Sequence, residues 1–183
     1  IVKGHDFPMV TLVGVLAADL SLSVGDYQAA ERTFQLLTQA VGRAGRGEIA
    51  GEAVIQTYQP EHYAVVTAAN QDYDSFYKSE IAYREVCGYP PVKHMLAILL
   101  ASDVKTLLDE VAVSLSEKLK EQLDIFYQII GPADATIGKI NDIYRKIIYI
   151  RHDEYNKLTE VKDLTEALME KKKKEFSIGR LVS

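Results

Sequence analysis

Gln39 to Arg46, QAVGRAGR, closes a stretch of helical periodicity and has the form Q-x-x-G-R-x-G-R. Arginine keeps its charge at any workable pH and presents a planar fork of donors that fits phosphate oxygens. Two arginines three residues apart on a glycine-punctuated turn therefore suit a polyphosphate. Gly42 and Gly45 let the backbone bend there without a Cβ in the way. The plainer alternative is a helix C-terminus with capping glycines and cations favoured by the helix dipole. Upstream, Thr11 to Leu16 (TLVGVL) is short, apolar and rich in β-branched residues, as a buried parallel strand is. Phe7-Pro8 ahead of it keeps the entry extended. Gly25-Asp26 announces a helix with Asp26 as candidate cap, and Ala30, Phe34, Leu37 and Val41 supply its buried face. Glu52 to Tyr58 then reads as a second strand.

The wording around these elements carries a resemblance. Val2-Lys3-Gly4-His5-Asp6-Phe7-Pro8 and the arginine turn look like motifs V and VI of superfamily 2 helicases. The longer stretches KGHDFP, ERTFQLLTQAVGRAGR and GEAVIQTYQPEHY resemble the primosomal protein N′ (PriA) family of bacterial replication-restart helicases. CGYPP (Cys87 to Pro91) and GPADATIGKINDIYR (Gly131 to Arg145) extend that resemblance to the whole chain. It implies an α/β fold: the second half of helicase lobe 2, RecA-like, over residues 1–58, a helical connector over 59–91, and a carboxy-terminal domain over 92–183. The implied activity is ATP-driven 3′-to-5′ unwinding at branched DNA with reloading of the replication machinery. Arg43 and Arg46 would reach the nucleotide from the second lobe, with Gln39 at the lobe interface. Lys3, Gly4 and Asp6, with Gly42, would couple that site to DNA; the alternative for Asp6 is a turn or cap carboxylate. Ala17 departs from the pattern, where Asp or Asn is expected, so no role is assigned there.

A nucleotide-hydrolysing site also needs a loop that cradles phosphates and acidic groups that hold Mg²⁺. The chain has no G-x-x-x-x-G-K-[ST] and no D-E-x-x box in the usual place. The resemblance puts those, and the binding of ATP and Mg²⁺, in a first lobe absent here, so this piece alone is expected to be inactive. Family members also carry a zinc module with cysteine ligands; none of those ligands is present, and Cys87 is the one cysteine. The implied partners are forked and single-stranded DNA, single-strand-binding protein and other primosome proteins, in the bacterial cytoplasm at the nucleoid.

Composition sets limits on this reading. The chain has 183 residues, 48% hydrophobic and 26% charged, which is ordinary for a globular protein of one or two domains. It starts at Ile1 inside a motif, so a longer parent protein is expected. There is no apolar run of about 18 residues, so no membrane partner is expected. The net charge of −5 argues against a surface that grips nucleic acid everywhere. Local basic clusters remain: Lys139, Arg145, Lys146 and Arg151, and the run Lys171 to Lys174, which reads more simply as a solvated helix end.

In the connector, Glu61 to Ala69 forms a short helix and Asp72 caps a second. Tyr73, Tyr77 and Ile81 lie on one stripe of it, with Phe76 and Tyr83 beside; helical recurrence favours core packing over base stacking. Gly88 and Pro90-Pro91 end it. Beyond lie a strand (Met95–Ala101), a helix capped by Asp103 with Leu107, Leu108, Val111, Leu115 and Leu119 inward, and a strand from Phe126 to Ile130 that Gly131-Pro132 breaks. After an irregular segment comes a strand from Ile143 to Arg151, with Ile143, Arg145, Ile147, Tyr149 and Arg151 on one face and Tyr144, Lys146, Ile148 and Ile150 on the other. A helix opened by Asp153, with Leu158, Val161, Leu164 and Leu168 inward, and a strand from Phe176 to Val182 complete the order βαββαβ. That is an α+β ferredoxin-like arrangement.

Such a fold does not specify a function. The RNA-recognition pattern is absent, and the first strand, MLAILLA, carries no aromatic. The stretch GPADATIGKINDIYRK is the better surface, with Lys139, Tyr144, Arg145 and Lys146 as candidate DNA contacts. The family often has an aromatic where Lys146 stands. Two other classes of function compete: a protein-interaction module that touches no DNA, and a different superfamily 2 repair helicase. An unpaired apolar edge at Thr11 to Leu16 also predicts either a non-biological dimer through residues 1–58 or local disorder there.

Overall fold

The computed structural model describes residues 10–23, 25–44 and 51–173, and divides into two compact units, 1–86 and 87–183. It is mixed α/β with two sheets.

In the first unit β1 (Leu12–Val15) and β2 (Glu52–Ile55) pair in parallel, Leu12 opposite Glu52 and Val15 opposite Ile55. Parallel strands need a crossover, here a short α1 (Asp19–Leu22) and α2 (Ala29–Val41). The buried stripe of α2 is Ala29, Thr33, Phe34, Leu37 and Ala40, one residue off the expected Ala30 and Val41 at its ends. Asp26 does not cap α2. Its carboxylate accepts the Gln28 amide at 3.0 Å and pairs with Arg32, which makes a turn before the helix; Gln28 is the N-cap residue and caps with no side-chain bond.

Two helices follow, α3 (Tyr63–Ala69) and α4 (Tyr73–Cys87). His62 caps α3, its Nδ1 accepting the Ala64 amide at 3.2 Å. Asp72 takes the Ser75 amide at 3.0 Å at the start of α4, as expected of a cap. The two helices complete the core around α2: the Phe34 and Phe76 rings stack at 4.1 Å, among Leu37, Ala64, Val65 and Ala68.

The tyrosine stripe of α4 is not in the core. Tyr73 and Tyr77 are 61% and 53% exposed, their rings 6.3 Å apart, and the buried row is Phe76, Glu80 and Arg84. Both rows obey helical spacing, so periodicity alone could not choose between them. The polar row wins because its charges find partners, described below.

The second unit contains β3 (His94–Ser102), α5 (Lys105–Gln122), β4 (Gln128–Ile140), β5 (Ile143–His152) and α6 (Tyr155–Lys173). The sheet order is β3-β5-β4, and β5 is antiparallel to both neighbours. β3 and β4 thus run parallel with β5 inserted between them. α5 and α6 pack on one face, joining Leu115, Leu119, Val161 and Met169 to Ile98, Leu100, Ile148 and Ile150 of the sheet. The expected strand 176–182 and the side chains of Lys171 to Lys174 lie outside the described residues.

Three boundaries differ from expectation. β4 does not stop at Gly131-Pro132 but runs on to Ile140, absorbing the pair as a register shift between Ile130 and Ala133. Gly131 has φ +102 and an added Cβ would lie 2.8 Å from the Ile147 carbonyl oxygen, so glycine is what lets the strand continue there. Phe126 precedes β4, 70% exposed in a turn closed by Asp124. Neither Asp103 nor Asp153 caps a helix: Ser102 Oγ accepts the Val104 amide at 3.1 Å and His152 Nδ1 accepts the Glu154 amide at 2.9 Å. Asp153 instead pairs with Lys93 at 3.1 Å.

Candidate nucleotide and nucleic-acid surfaces

The arginine turn begins at the C-terminus of α2. The Gly42 amide donates to Thr38 O at 2.9 Å and the Arg43 amide to Ala40 O at 3.1 Å, so the chain tightens into a final turn. Gly42 has an ordinary helical φ of −66°, and a Cβ there would touch Thr38 O at 3.2 Å. Close packing, not a left-handed bend, is what favours glycine at Gly42. Gln39 is exposed and Arg43 half-buried. Gly45, Arg46, Lys3, Gly4 and Asp6 lie outside the described residues, so of the proposed set only Gln39, Gly42 and Arg43 can be placed.

Arg43 sits at a cavity of about 450 Å³ whose walls include Val13, Val15, Ala17, Leu37 and Ala40. That lining is apolar, and it meets the negative end of the α2 dipole. The described residues therefore do not fit a triphosphate by themselves: they offer one guanidinium and no amide cradle. Ala17, beside this cavity, has φ +52°, a left-handed conformation in which Asn, Asp and Gly are at home and alanine is strained. Next to it, Asp19 ties α1 to the end of β2, accepting Thr57 Oγ1 at 2.7 Å and the Tyr58 amide at 2.9 Å. Those two bonds hold its carboxyl below the usual carboxylate value.

Arg84 fastens α2, α3 and α4 together. Its Nε donates to Glu80 at 2.7 Å and its Nη2 to Glu31 of α2 at 2.7 Å, while the guanidinium lies 5.5 Å from the Tyr27 ring. Tyr63 of α3 donates its hydroxyl to the other Glu80 oxygen at 2.7 Å. Glu80 and Arg84 are 5% and 8% exposed, so each carboxylate and guanidinium bond replaces water that was lost. Burial, then the Glu80 carboxylate, pushes the Tyr63 phenol well above its ordinary range, and burial lowers His62 against the opposing pull of Glu80. Only the carboxylate–arginine pair at i, i+4, Glu80 and Arg84, signals this network locally in the sequence; Glu31 and Tyr63 are brought to it by the fold.

In the second unit the four candidate DNA contacts separate. Lys139 and Tyr144 are paired across the β4–β5 hairpin, with the ammonium 4.9 Å from the ring centroid and 2.9 Å from Asp142. Lys146 faces the helices and bridges Asp109 at 3.0 Å and Asp134 at 3.2 Å. These partners raise the pKa of Lys139, through Asp142 first, and of Lys146, through Asp109 first. Arg145 lies on the opposite face. The hairpin closes through Asn141 and Asp142, both with positive φ (48° and 64°), the two-residue turn that matches strand twist. The segment expected to be irregular is therefore this hairpin, and the Asn-Asp pair is its local signal.

At the start of the second unit Arg151 anchors the sheet. Its Nη1 donates to the Cys87 carbonyl at 2.6 Å and its guanidinium stacks 4.2 Å from the Tyr89 ring. Among the described residues no three His, Cys, Asp or Glu side chains cluster as metal ligands would, and no helix is long and apolar enough to cross a membrane.

Residues 85–180 match the family model described as primosomal protein N C-terminal domain. The replication restart protein PriA of Bacillus subtilis is 39% identical over 96% of this chain and 22% of its own length. Those of Synechocystis (35% identical, 85% of this chain, 19% of the relative) and Treponema pallidum (36%, 82% and 23%) agree. The chain spans about a fifth of the length of these curated relatives. By the match over its second unit and the identity along nearly its whole length, this chain belongs to the PriA family and contains that family's C-terminal domain.

Proposed function

We propose that this chain is the carboxy-terminal part of an ATP-dependent 3′-to-5′ DNA helicase that recognises branched DNA and restarts replication, working in the cytoplasm at the nucleoid. The observation that carries this is the match of residues 85–180 to the PriA domain. Residues 1–58 are then the second half of a RecA-like lobe 2, supported by the parallel β1–β2 pair joined through α2. The last unit is ferredoxin-like, supported by β5 lying between parallel β3 and β4.

In this reading Arg43 and Arg46, with Gln39, meet ATP and Mg²⁺ bound by a first lobe, and Lys3, Gly4, Asp6 and Gly42 couple that site to DNA. In this reading the chain alone hydrolyses no ATP, because its sequence contains no G-x-x-x-x-G-K-[ST] loop to cradle the phosphates. The zinc module belongs to the full-length protein. The hairpin residues Lys139, Tyr144, Arg145 and Lys146 contribute to DNA contact; single-strand-binding protein and primosome proteins are the protein partners. The exposed Leu12 and Leu16 make dimerisation through residues 1–58 an expected property of the isolated chain.

Ion pairing of Lys139 and Lys146 favours a second reading, a protein-interaction module without DNA affinity. Fluorescence anisotropy of the chain with single-stranded, duplex and forked DNA at low and moderate salt separates the two. Micromolar, salt-dependent binding that favours forks supports the helicase reading; no binding at either salt supports the second.

A further inference from the structure

In the first unit α3 starts on an imidazole. Its N-cap residue, His62, has an extended backbone, and the His62 Nδ1 accepts the Ala64 amide at 3.2 Å. A ring nitrogen that accepts carries no proton, so the imidazole is neutral with its proton on Nε2. Serine and asparagine cap through an oxygen that keeps its lone pairs in mild acid. Histidine does not: protonated on both nitrogens it can only donate. Ala64 is 0% exposed, and His62 Nδ1 is the acceptor described for its amide. Losing that acceptor strands a buried N–H and puts a cation at the positive end of a helix, both of which are unfavourable. In a helix of seven residues the first turn is about half of the whole. That turn carries Ala64 and Val65, which pack with Phe34 and Leu37 of α2.

We propose that His62 is a pH-sensitive latch: taking up a proton at Nδ1 releases the first turn of α3 and with it that turn's seat against α2. The charged and titratable groups around the ring are held in their own bonds. On α3, the Tyr63 ring stacks on the imidazole at 4.6 Å and its hydroxyl donates to Glu80. On α4, Glu80 is the carboxylate whose charge favours a protonated His62, but its two oxygens already accept from Tyr63 and from Arg84 Nε. Tyr83, also on α4, acts on the Tyr63 phenol. On α2, Glu31 is held at 2.7 Å by the same Arg84. Glu61, next to His62 in the chain, is exposed. Burial of the ring outweighs the pull of Glu80 and keeps His62 below its ordinary 6.5. The unfolded chain thus binds this proton at a higher pH than the folded one. Stability from the cap is complete above about pH 6.5 and falls as pH drops through the lowered folded value.

The test follows the His62 ring and the Ala64 amide by NMR in the chain, from about pH 8 down to about pH 5. His62→Asn assigns the ring signal among the four histidines by removing it, and His62 should titrate below 6.5. Hydrogen-exchange protection of the Ala64 amide, taken relative to the unstructured rate at each pH, should fall roughly two- to thirtyfold from neutral to mild acid, the range that corresponds to losing a cap. Asparagine supplies an acceptor that does not titrate, so His62→Asn should hold its Ala64 protection constant across the series. His62→Ala should show the lowered protection at every pH. A parent whose Ala64 protection is flat with pH, or a His62 that titrates at or above 6.5, would overturn the latch. So would a His62→Asn variant with the pH dependence of the parent, which would move the effect to another group.

Discussion

Replacing Arg84 by methionine should destabilise the first unit by about 3 kcal/mol, at the low end of the 3–5 kcal/mol for breaking a buried ion pair. The low end follows from the unequal fates of Glu31 and Glu80, its carboxylate partners among the described residues. Glu31 has a side chain 38% exposed and returns to water when Arg84 is lost. Glu80, 5% exposed, keeps the Tyr63 hydroxyl among the described residues and is left as a buried charge without a cation. Methionine fills much of the aliphatic stem, so the cavity term is small. Neutralising Glu80 as well, in Glu80→Gln/Arg84→Met, should recover more than half of the loss, because glutamine can still accept from Tyr63. The chain has no tryptophan, so urea unfolding is best followed by far-ultraviolet circular dichroism, with amide hydrogen exchange of α4 as the local measure. Arg84→Met within 0.5 kcal/mol of the parent, or a double variant no better than the single one, would refute the network as the clamp of this unit.

Ala17→Asn should stabilise the chain by about 0.5–1 kcal/mol, since the left-handed backbone costs alanine more than asparagine, and Ala17→Gly should act in the same direction; thermal melts decide it. Gly131→Ala should cost about 1–3 kcal/mol through the strained φ and the contact with Ile147 O, and exchange should speed up along β4 first. Asp19 titrates below its ordinary 3.8, so its bonds to Thr57 and Tyr58 add stability above that pH and lose it as pH falls through the lowered folded value. The difference between parent and Asp19→Asn should accordingly vanish in acid. Tyr63 is the opposite case: its raised pKa makes its contribution complete below about pH 10 and lost as pH rises beyond, so Tyr63→Phe should flatten the alkaline limb of the stability curve.

Most of the architecture was legible because apolar periodicity is strong where one face is buried. α2, β3, α5, β5 and α6 were all found near their places, and the two faces of β5 were assigned as the pairing has them; β1 was found in place, but it is not the buried strand expected, with Leu12 62% exposed. The failures have physical causes. Asp26, Asp103 and Asp153 were read as caps from residue type, but capping depends on which side chain reaches the N2 or N3 amide. At two of these ends a serine or histidine one residue earlier reached a free amide first. β4 was cut short because Gly131-Pro132 reads as a stop. A bulge lets a strand pass such a pair where the partner strand continues, and sequence does not reveal the partner.

The site residues divide along the same line between local and distant information. Lys139, Arg145 and Lys146 are equivalent as a sequence cluster, three cations within eight positions. The fold makes them unequal. Strand alternation sends Arg145 to one face and Lys146 to the other, and on that other face α5 brings Asp109 to 3.0 Å of the Lys146 ammonium. A cation already held by two carboxylates must give up those bonds before it can serve a phosphate, so its net gain from binding is small. Charge content alone therefore does not rank these cations, since both lysines are already paired with carboxylates that the sequence places far from them or across a turn. The same reasoning bears on Glu80 and Arg84, whose charges favour solvent when each is taken alone and whose mutual bonds place them in the core.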